Sequence, residues 1–411
     1  MNYVIIGNSV AAVHAVEGIR ERDNEGTITI ISGEQFLAYN RPLISYWLEH
    51  KIDDRGMAYR SEVFYRTHKV EVIEGKRAVQ IDPDSRQVRL DDGQTVAYDR
   101  LLLATGGRPF VPPIEGLPST DLFTFNTWDD VRGLAEAATP DREAVVLGAG
   151  PTGLKAMESL VNIGVKVTLV EQSAQIWPQV LDPFAGRLVK SVLTDRGVRV
   201  ILGDTMNGAT RENNGRLRLG LQSGVELLCD FLVAATGIRP NVELVQDLPG
   251  VTINRGVVVD ENLGIGLPGC FAAGDVVAGN APILPLAAIQ GHLAGLNMAG
   301  AREVFCPVSP FNAMNLWGLH IASMGCSASV PEKGYAILSE HNEAALTYRK
   351  LVLKGPHLVG GLFLNSPEQA GIYRHFMEER IDTNRFKQEL LRPALGLLDL
   401  PPDLLNEKLA Q

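Results

Sequence analysis

The stretch Ala144-Val-Val-Leu-Gly148-Ala-Gly150-Pro-Thr-Gly153 leaves few folds open to this chain. A short apolar run closed by glycines and followed by helix-forming residues reads as a buried strand turning directly into a helix. A second apolar run, Val165-Lys-Val-Thr-Leu-Val170, follows and ends in Glu171. Strand, glycine turn, helix, strand and terminal acid form the unit that a parallel sheet uses to hold a dinucleotide. The glycines let the backbone approach a diphosphate, the helix start offers unpaired N–H groups, and the acid accepts ribose hydroxyls. Gly148, Gly150, Pro151, Thr152, Gly153 and Glu171 are the candidate residues. A carboxylate at 171 welcomes a 2′-hydroxyl and repels a 2′-phosphate, and Gln172-Ser173-Ala174 brings no arginine, so NAD(H) is expected over NADP(H).

The chain opens on a weaker copy of the same pattern. Tyr3-Val-Ile-Ile6 runs into Gly7-Asn-Ser9 and then into Ala11-Ala12-Val-His-Ala-Val16. Gly7 and the small Ala12 are in place, and Ser9 stands where the second glycine belongs. The next strand, Thr27-Ile-Thr-Ile-Ile31, ends in Ser32-Gly33-Glu34. Either Ser32 or Glu34 could meet a ribose; Glu34 is preferred because a carboxylate accepts two hydroxyl protons at once. The two copies also close alike, on Ala104-Thr105-Gly106 and on Ala235-Thr236-Gly237. Two such units mean two dinucleotides, or one unit decayed by duplication; the first is expected, because each copy retains its anion turn. Gly269-Cys-Phe-Ala-Ala-Gly274-Asp275 adds a strand ending in Gly-Asp, followed by a helix with Pro285 near its first turn.

The remainder bounds the reading. A chain of 411 residues makes two or three domains. A net charge of −10 with no lysine or arginine block argues against nucleic acid or an anionic membrane as partner. No apolar run reaches the ~20 residues that span a bilayer, and the first residues read as a strand, not a signal peptide. Cys229, Cys270, Cys306 and Cys326 have neither metal-ligand nor redox spacing, and are expected to be buried, reduced thiols of a cytoplasmic protein. Tyr39-Asn-Arg41-Pro42 reads as a loop entering an aromatic helix. Residues 70–73 and 87–90 read as strands of one hairpin or meander. Pro109, Pro112 and Pro113 mark a hinge. Short strands at 346–353 and 358–363 suggest a small α+β cap, and 386–409 reads as packing helices broken by prolines.

Taken together, the two fingerprints, the paired Ala-Thr-Gly turns and Gly274-Asp275 make residues 1–305 resemble the two-dinucleotide flavoprotein reductases of the pyridine nucleotide-disulfide oxidoreductase superfamily. That resemblance implies an α/β fold with two Rossmann-like domains, the NAD domain inserted in the FAD domain, and a small C-terminal α+β interface domain. The implied boundaries are 1–113 and 242–305 for FAD, 114–241 for NAD, and 306–411 for the interface domain and tail. FAD would meet Gly7, Ser9, Ala11, Ala12, Glu34, Arg41, Pro42, Ala78, Thr105, Gly106, Gly274, Asp275, Leu286 and Ala287. NAD(H) would meet the residues around Gly148, with Lys155 and Gly237. Tyr39-x-Arg41-Pro42 looks like the NADH-dependent rubredoxin and ferredoxin reductases and the flavin domain of assimilatory nitrite reductases. Disulfide reductases carry a Cys pair after the first unit, and the water-forming oxidases a single Cys. This chain has no Cys before 229, so electrons are expected to leave the flavin directly for an external acceptor.

Two positions depart from the family. Lys155 replaces a Glu that touches the nicotinamide amide in many relatives, and either pairs with Glu158 or works at the flavin edge. Tyr46 replaces a Lys near the flavin N5 of oxygenase-type reductases. Phe311-Asn312-Ala313 falls where the interface domain approaches the flavin. The implied function is an NADH:acceptor oxidoreductase serving a small electron-carrier protein or iron–sulfur subunit, with no catalytic side chain and no metal required; a homodimer is allowed. The rival readings are an NADH oxidase or diaphorase, and a non-catalytic NADH-responsive flavoprotein that regulates a partner.

Overall fold

A computed structural model describes residues 1–307, 309–328, 334–392 and 395–396. In chain order the first elements are β1 (Asn2–Ile6), α1 (Val10–Arg20), β2 (Thr27–Ile31), α2 (Ile44–Leu48), α3 (Glu62–Thr67) and β3 (Val70–Ile73). Next come β4 (Ala78–Asp82), β5 (Gln87–Leu90), β6 (Thr95–Ala97), β7 (Arg100–Leu103), β8 (Gly107–Pro109) and β9 (Leu122–Thr124). The middle of the chain holds α4 (Trp128–Ala137), β10 (Glu143–Leu147), α5 (Pro151–Asn162), β11 (Lys166–Glu171), α6 (Pro183–Asp195) and β12 (Arg199–Leu202). A meander, β13 (Met206–Arg211), β14 (Leu217–Leu221) and β15 (Glu226–Cys229), leads to β16 (Phe231–Ala234), β17 (Ile238–Pro240), β18 (Cys270–Ala272) and α7 (Leu284–Met298). The last part contains β19 (Phe311–Leu316), β20 (Leu319–Gly325), β21 (Ala336–Asn342), β22 (Thr347–Lys354), β23 (His357–Leu364) and α8 (Ala370–Glu378).

The chain divides into two compact units. The first comprises 1–110, 126–131 and 237–307; the second comprises 111–125, 132–236 and 308–411.

In the first unit a parallel sheet runs β18-β7-β1-β2-β3. Its central strand is apolar at every position from Tyr3 to Ile6 because both faces are covered. Tyr3 and Ile5 face α1 and α7, whereas Val4 and Ile6 join Ile81, Val88 and Leu90 of the β4-β5-β6 sheet on the other side. Small residues let α1 and α7 pack unusually close. A Cβ on Gly291 would collide with the Ala11 carbonyl, and one on Gly295 with that of Ala15. The paired registers show that the two helices run parallel, so their N-termini lie at the same edge of the sheet.

The second unit repeats the scheme as a parallel sheet β12-β11-β10-β16-β9, beside the antiparallel β13-β14-β15. It also carries a five-stranded antiparallel sheet, β19-β20-β23-β22-β21, with α8 packed against it through Tyr373 and Phe376. Two local expectations need correction. Residues 70–73 and 87–90 do not share a hairpin: β3 joins the edge of the parallel sheet beside β2, and β5 pairs with β4 and β6. Alternation alone cannot say which neighbour a short strand will take. Of the four thiols, Cys229 and Cys270 are buried, but Cys306 and Cys326 are exposed. Of the tail expected to form helices over 386–409, the described residues after Phe386 form turns and no helix, and the remainder lies outside the described residues.

Candidate dinucleotide sites

In an open parallel sheet, ligands bind outside the carboxyl ends of the strands where the winding direction reverses. In the first unit that reversal lies between β1, which is followed by β2 on one side, and β7 on the other. Gly7 ends β1 and Ala104-Thr105 ends β7, so the sequence-predicted turns meet there. Gly7 has φ 111°, and a Cβ on it would strike the Ala104 carbonyl. Ser9 starts α1 without a side-chain cap, Gly150 does the same for α5, and Ile283 for α7. Helix starts of this kind leave first-turn N–H groups for a ligand. By contrast, α6 is capped by Asp182. Gly274 brings two of the open starts together, since a Cβ there would lie 3.3 Å from the Ala11 Cβ and 3.6 Å from that of Ala287.

The Gly274-Asp275 turn is held from behind. Gly274 N–H donates to the buried Gln290 Oε1 at 3.0 Å, Asn280 Nδ2 donates to the same oxygen at 2.7 Å, and it also reaches the Gly274 carbonyl at 2.9 Å. Burial pushes the Asp275 carboxyl up, and Arg41 partly offsets this. Leu286 and Ala287 form the first turn of α7, and the buried Ala12 is part of the core beneath α1. Thr105 Oγ1 donates to the Asn241 carbonyl at 2.9 Å, beside the β8–β17 pair, and Gly106 has open space around it.

Glu34 lies beyond β2 as expected, with both carboxylate oxygens engaged. Oε1 pairs with Arg41 Nη2, and Oε2 accepts the Tyr39 hydroxyl at 2.6 Å. Arg41 Nη1 also donates to the Asn126 carbonyl at 3.1 Å, and Pro42 follows it exposed in a tight helical turn. Ala78 starts β4; the neighbouring Lys76 N–H donates to the Ser32 carbonyl at 3.0 Å, so this segment runs past the end of β2.

The second unit builds the same geometry more tightly. Gly148 ends β10 at φ 105°, and a Cβ there would collide with the Ala235 carbonyl at the end of β16. Gly153 is pressed onto the Gly148 carbonyl, whereas nothing lies within 4 Å of a Cβ on Gly150. Pro151 and Thr152 are exposed at the start of α5. Glu171 spans the turn: Oε2 accepts Ala149 N–H at 2.7 Å and Oε1 accepts Ser173 N–H at 2.8 Å. Each oxygen keeps a lone pair for a ribose hydroxyl. A family model for pyridine nucleotide-disulphide oxidoreductases matches residues 1–291. The chain belongs to that family.

As a member of the pyridine nucleotide-disulphide oxidoreductases it is an FAD-dependent NADH oxidoreductase. It is 30% identical over 407 residues to the NADH-dependent phenylglyoxylate dehydrogenase subunit epsilon of Aromatoleum evansii, covering 96% of each chain. It is 28% identical to the assimilatory nitrate reductase electron transfer subunit of Bacillus subtilis, covering 95% of this chain and 51% of that one. The chain thus spans about half the length of that relative. Among solved structures, the covalent putidaredoxin reductase–putidaredoxin complex superposes with a TM-score of 0.84 at 22% identity, over 98% of this chain and 95% of that chain.

Several residues of this family member were not singled out by spacing. The Asn8 Nδ2 is buried in the first turn with no hydrogen-bond partner among the described residues, while its Oδ1 accepts the Tyr65 hydroxyl at 3.0 Å. Gln290 and Asn280 carry no motif at all. A polar donor in the turn, uncapped helix starts and open space at Gly106 and Gly150 suit phosphate-bearing ligands. Lys155 pairs with Glu158, whose other oxygen accepts Trp317 N–H at 2.7 Å. Gly237, expected at the NAD(H) site, falls in the first unit, where its carbonyl accepts Phe110 N–H at 2.9 Å. Phe311-Asn312-Ala313 forms the start of β19 in the second unit. Among the described residues no acidic, His or Cys cluster could hold a metal, and no helix is long and apolar enough to cross a membrane.

Proposed function

We propose that the chain takes electrons from NADH and delivers them to a small redox protein or an iron–sulfur subunit, in a cytoplasmic setting that keeps its four free thiols reduced. Bound FAD would supply the chemistry, accepting a hydride and passing electrons onward. The polypeptide orients and insulates. Ser9, the α1 start, Thr105, Gly106 and Asn8 would face the FAD diphosphate, with Arg41 and Glu34 beside the ribose. Asp275, Leu286 and Ala287 would receive the ribityl chain and flavin end, and the Gln290–Asn280 pin would hold them in place. Gly150, Pro151 and Thr152 would carry the NADH diphosphate, and Glu171 its adenosine ribose. Lys155, held by Glu158, is assigned to that helix rather than to the flavin edge. The proposed domains are 1–113 with 242–305 for FAD, 114–241 for NADH, and 306–411 for the interface, although the compact units group 126–131 and 237–241 with the first.

The single observation that carries the reading is the repeated switch-point turn, at Gly7 against Ala104 and at Gly148 against Ala235. The protein exit is supported by the sequence before 229, which has no thiol to relay electrons. One of the relatives named above is an electron transfer subunit. The test is NADH-dependent reduction of rubredoxin- and ferredoxin-type carriers by the purified protein. Oxygen uptake is followed in parallel. Turnover with a carrier well above the oxygen rate supports the proposal; oxygen uptake unaffected by any carrier would favour the NADH oxidase reading.

A further inference from the structure

The loop 172–182, which takes the chain from Glu171 to α6, borders the place assigned to the NADH ribose. It is fastened at three points. Near its start, Ser173 N–H donates to Glu171. In its middle, Trp177, buried and at φ 43°, donates its N–H to the Ala149 carbonyl at 3.1 Å. Ala149 lies between Gly148 and Gly150 and is therefore gripped on both sides, by Glu171 at its N–H and by Trp177 at its carbonyl.

The far end of the loop is held from the C-terminal sheet. Ser327 Oγ donates to the Val180 carbonyl at 2.8 Å. The Tyr348 hydroxyl donates to Asp182 Oδ2 at 2.7 Å, and Lys350 Nζ lies 2.9 Å from the same oxygen. Asp182 Oδ1 accepts Ala185 N–H at 2.9 Å and so caps α6. Phe184 packs its ring against His341 and Tyr348, with centroids 4.6 and 4.8 Å away. Exposure at Asp182, Tyr348 and Lys350 is only 7, 6 and 2%. Burial alone would raise the Asp182 carboxyl, but the hydrogen bonds from Ala185, Tyr348 and Lys350 outweigh it and hold it low. A buried ion pair seldom stabilises a fold more than apolar residues of the same volume, whereas it does fix direction and register.

We propose that Asp182, Tyr348 and Lys350 are positioning residues for NADH. The C-terminal sheet holds the end of loop 172–182, and the loop holds Ala149 and the surroundings of Glu171 in the geometry the nucleotide needs. This rests on the reading of the second unit as the NADH site. It gives the small C-terminal sheet a part in nucleotide affinity, in addition to any part in partner docking.

The test is calorimetric titration of NAD+ into the FAD-loaded protein, with KM and kcat for NADH measured alongside. The variants are Tyr348→Phe, Lys350→Met, Lys350→Arg and Asp182→Asn. Tyr348→Phe removes one hydroxyl and keeps the ring, so it remains informative where Lys350→Met fails to fold. The NAD+ Kd and the NADH KM are expected to rise together by about tenfold in Lys350→Met, with kcat and flavin content retained. Lys350→Arg is expected to recover part of the affinity. Adding Lys350→Met to Asp182→Asn is expected to change little further, because both act through one pair. Variants that melt earlier but keep wild-type Kd and KM would overturn the proposal, leaving the triad a structural feature. A wild-type protein whose flavin NADH does not reduce would instead overturn the parent reading, before any variant is made.

Discussion

At the scale of single residues, the glycines of the second turn separate folding from binding. A Cβ on Gly153 would meet the Gly148 carbonyl, so Gly153→Ala is expected to lower the melting temperature and expression. Gly150→Ala meets no protein atom within 4 Å, and should leave the melting temperature unchanged while weakening NAD+ binding measured by calorimetry. Equal loss of stability in both would contradict this account of the turn. Glu171 is the residue proposed to carry the nucleotide choice. Glu171→Ala removes an acceptor for Ala149 N–H and for the ribose, a loss of roughly 2 kcal/mol for bonds to a charged group. The ratio of kcat/KM for NADH over NADPH should fall correspondingly; an unchanged ratio would remove Glu171 from the specificity argument. Gly148, Gly150 and Glu171 were legible in the sequence because their chemistry lies in their spacing. Asp182, Lys350, Asn280 and Gln290 were not, because each depends on a partner that only the fold brings near.

At the scale of elements, the close crossing of α1 on α7 sets the first site. Gly291→Val would drive side-chain atoms into the Ala11 backbone, an overpacking expected to cost about 1–3 kcal/mol. It should also shift both helix starts and lower the ratio of flavin to protein absorbance; full flavin content in that variant would show the crossing to be uninvolved. The turn from α1 into β2 rests on Asp23, which accepts N–H bonds from Gly26 and Glu25 and the Tyr3 hydroxyl. These hold its carboxyl down at about 2, led by the Gly26 bond. A folded pKa below the unfolded value means stability present above pH ~4 and lost as pH falls toward 2. Urea unfolding at pH 6 and at pH 2.5 should show Asp23→Asn costing clearly more stability at the higher pH than at the lower. Strand identity was largely readable from apolar runs, since strands such as β1 and β10 are covered on both faces. Strand pairing was less so: β3 and β5 have similar patterns but belong to different sheets.

At the scale of the molecule, two copies of one nucleotide-binding scheme in a single chain suit a relay between two dinucleotides. The repeat itself was visible as Gly7 with Ala104-Thr105-Gly106 and Gly148 with Ala235-Thr236-Gly237. What the sequence left hidden was the grouping of the C-terminal sheet with the second unit, made through contacts such as Glu158 to Trp317 and Asp182 to Lys350. The relay is tested most directly by anaerobic stopped-flow mixing of the flavin-loaded protein with NADH, and separately with NADPH, while the flavin absorbance is followed. The account predicts rapid bleaching by NADH, far slower bleaching by NADPH, and recovery of the oxidised spectrum when an iron–sulfur carrier is added. A flavin that stays oxidised in NADH would contradict it.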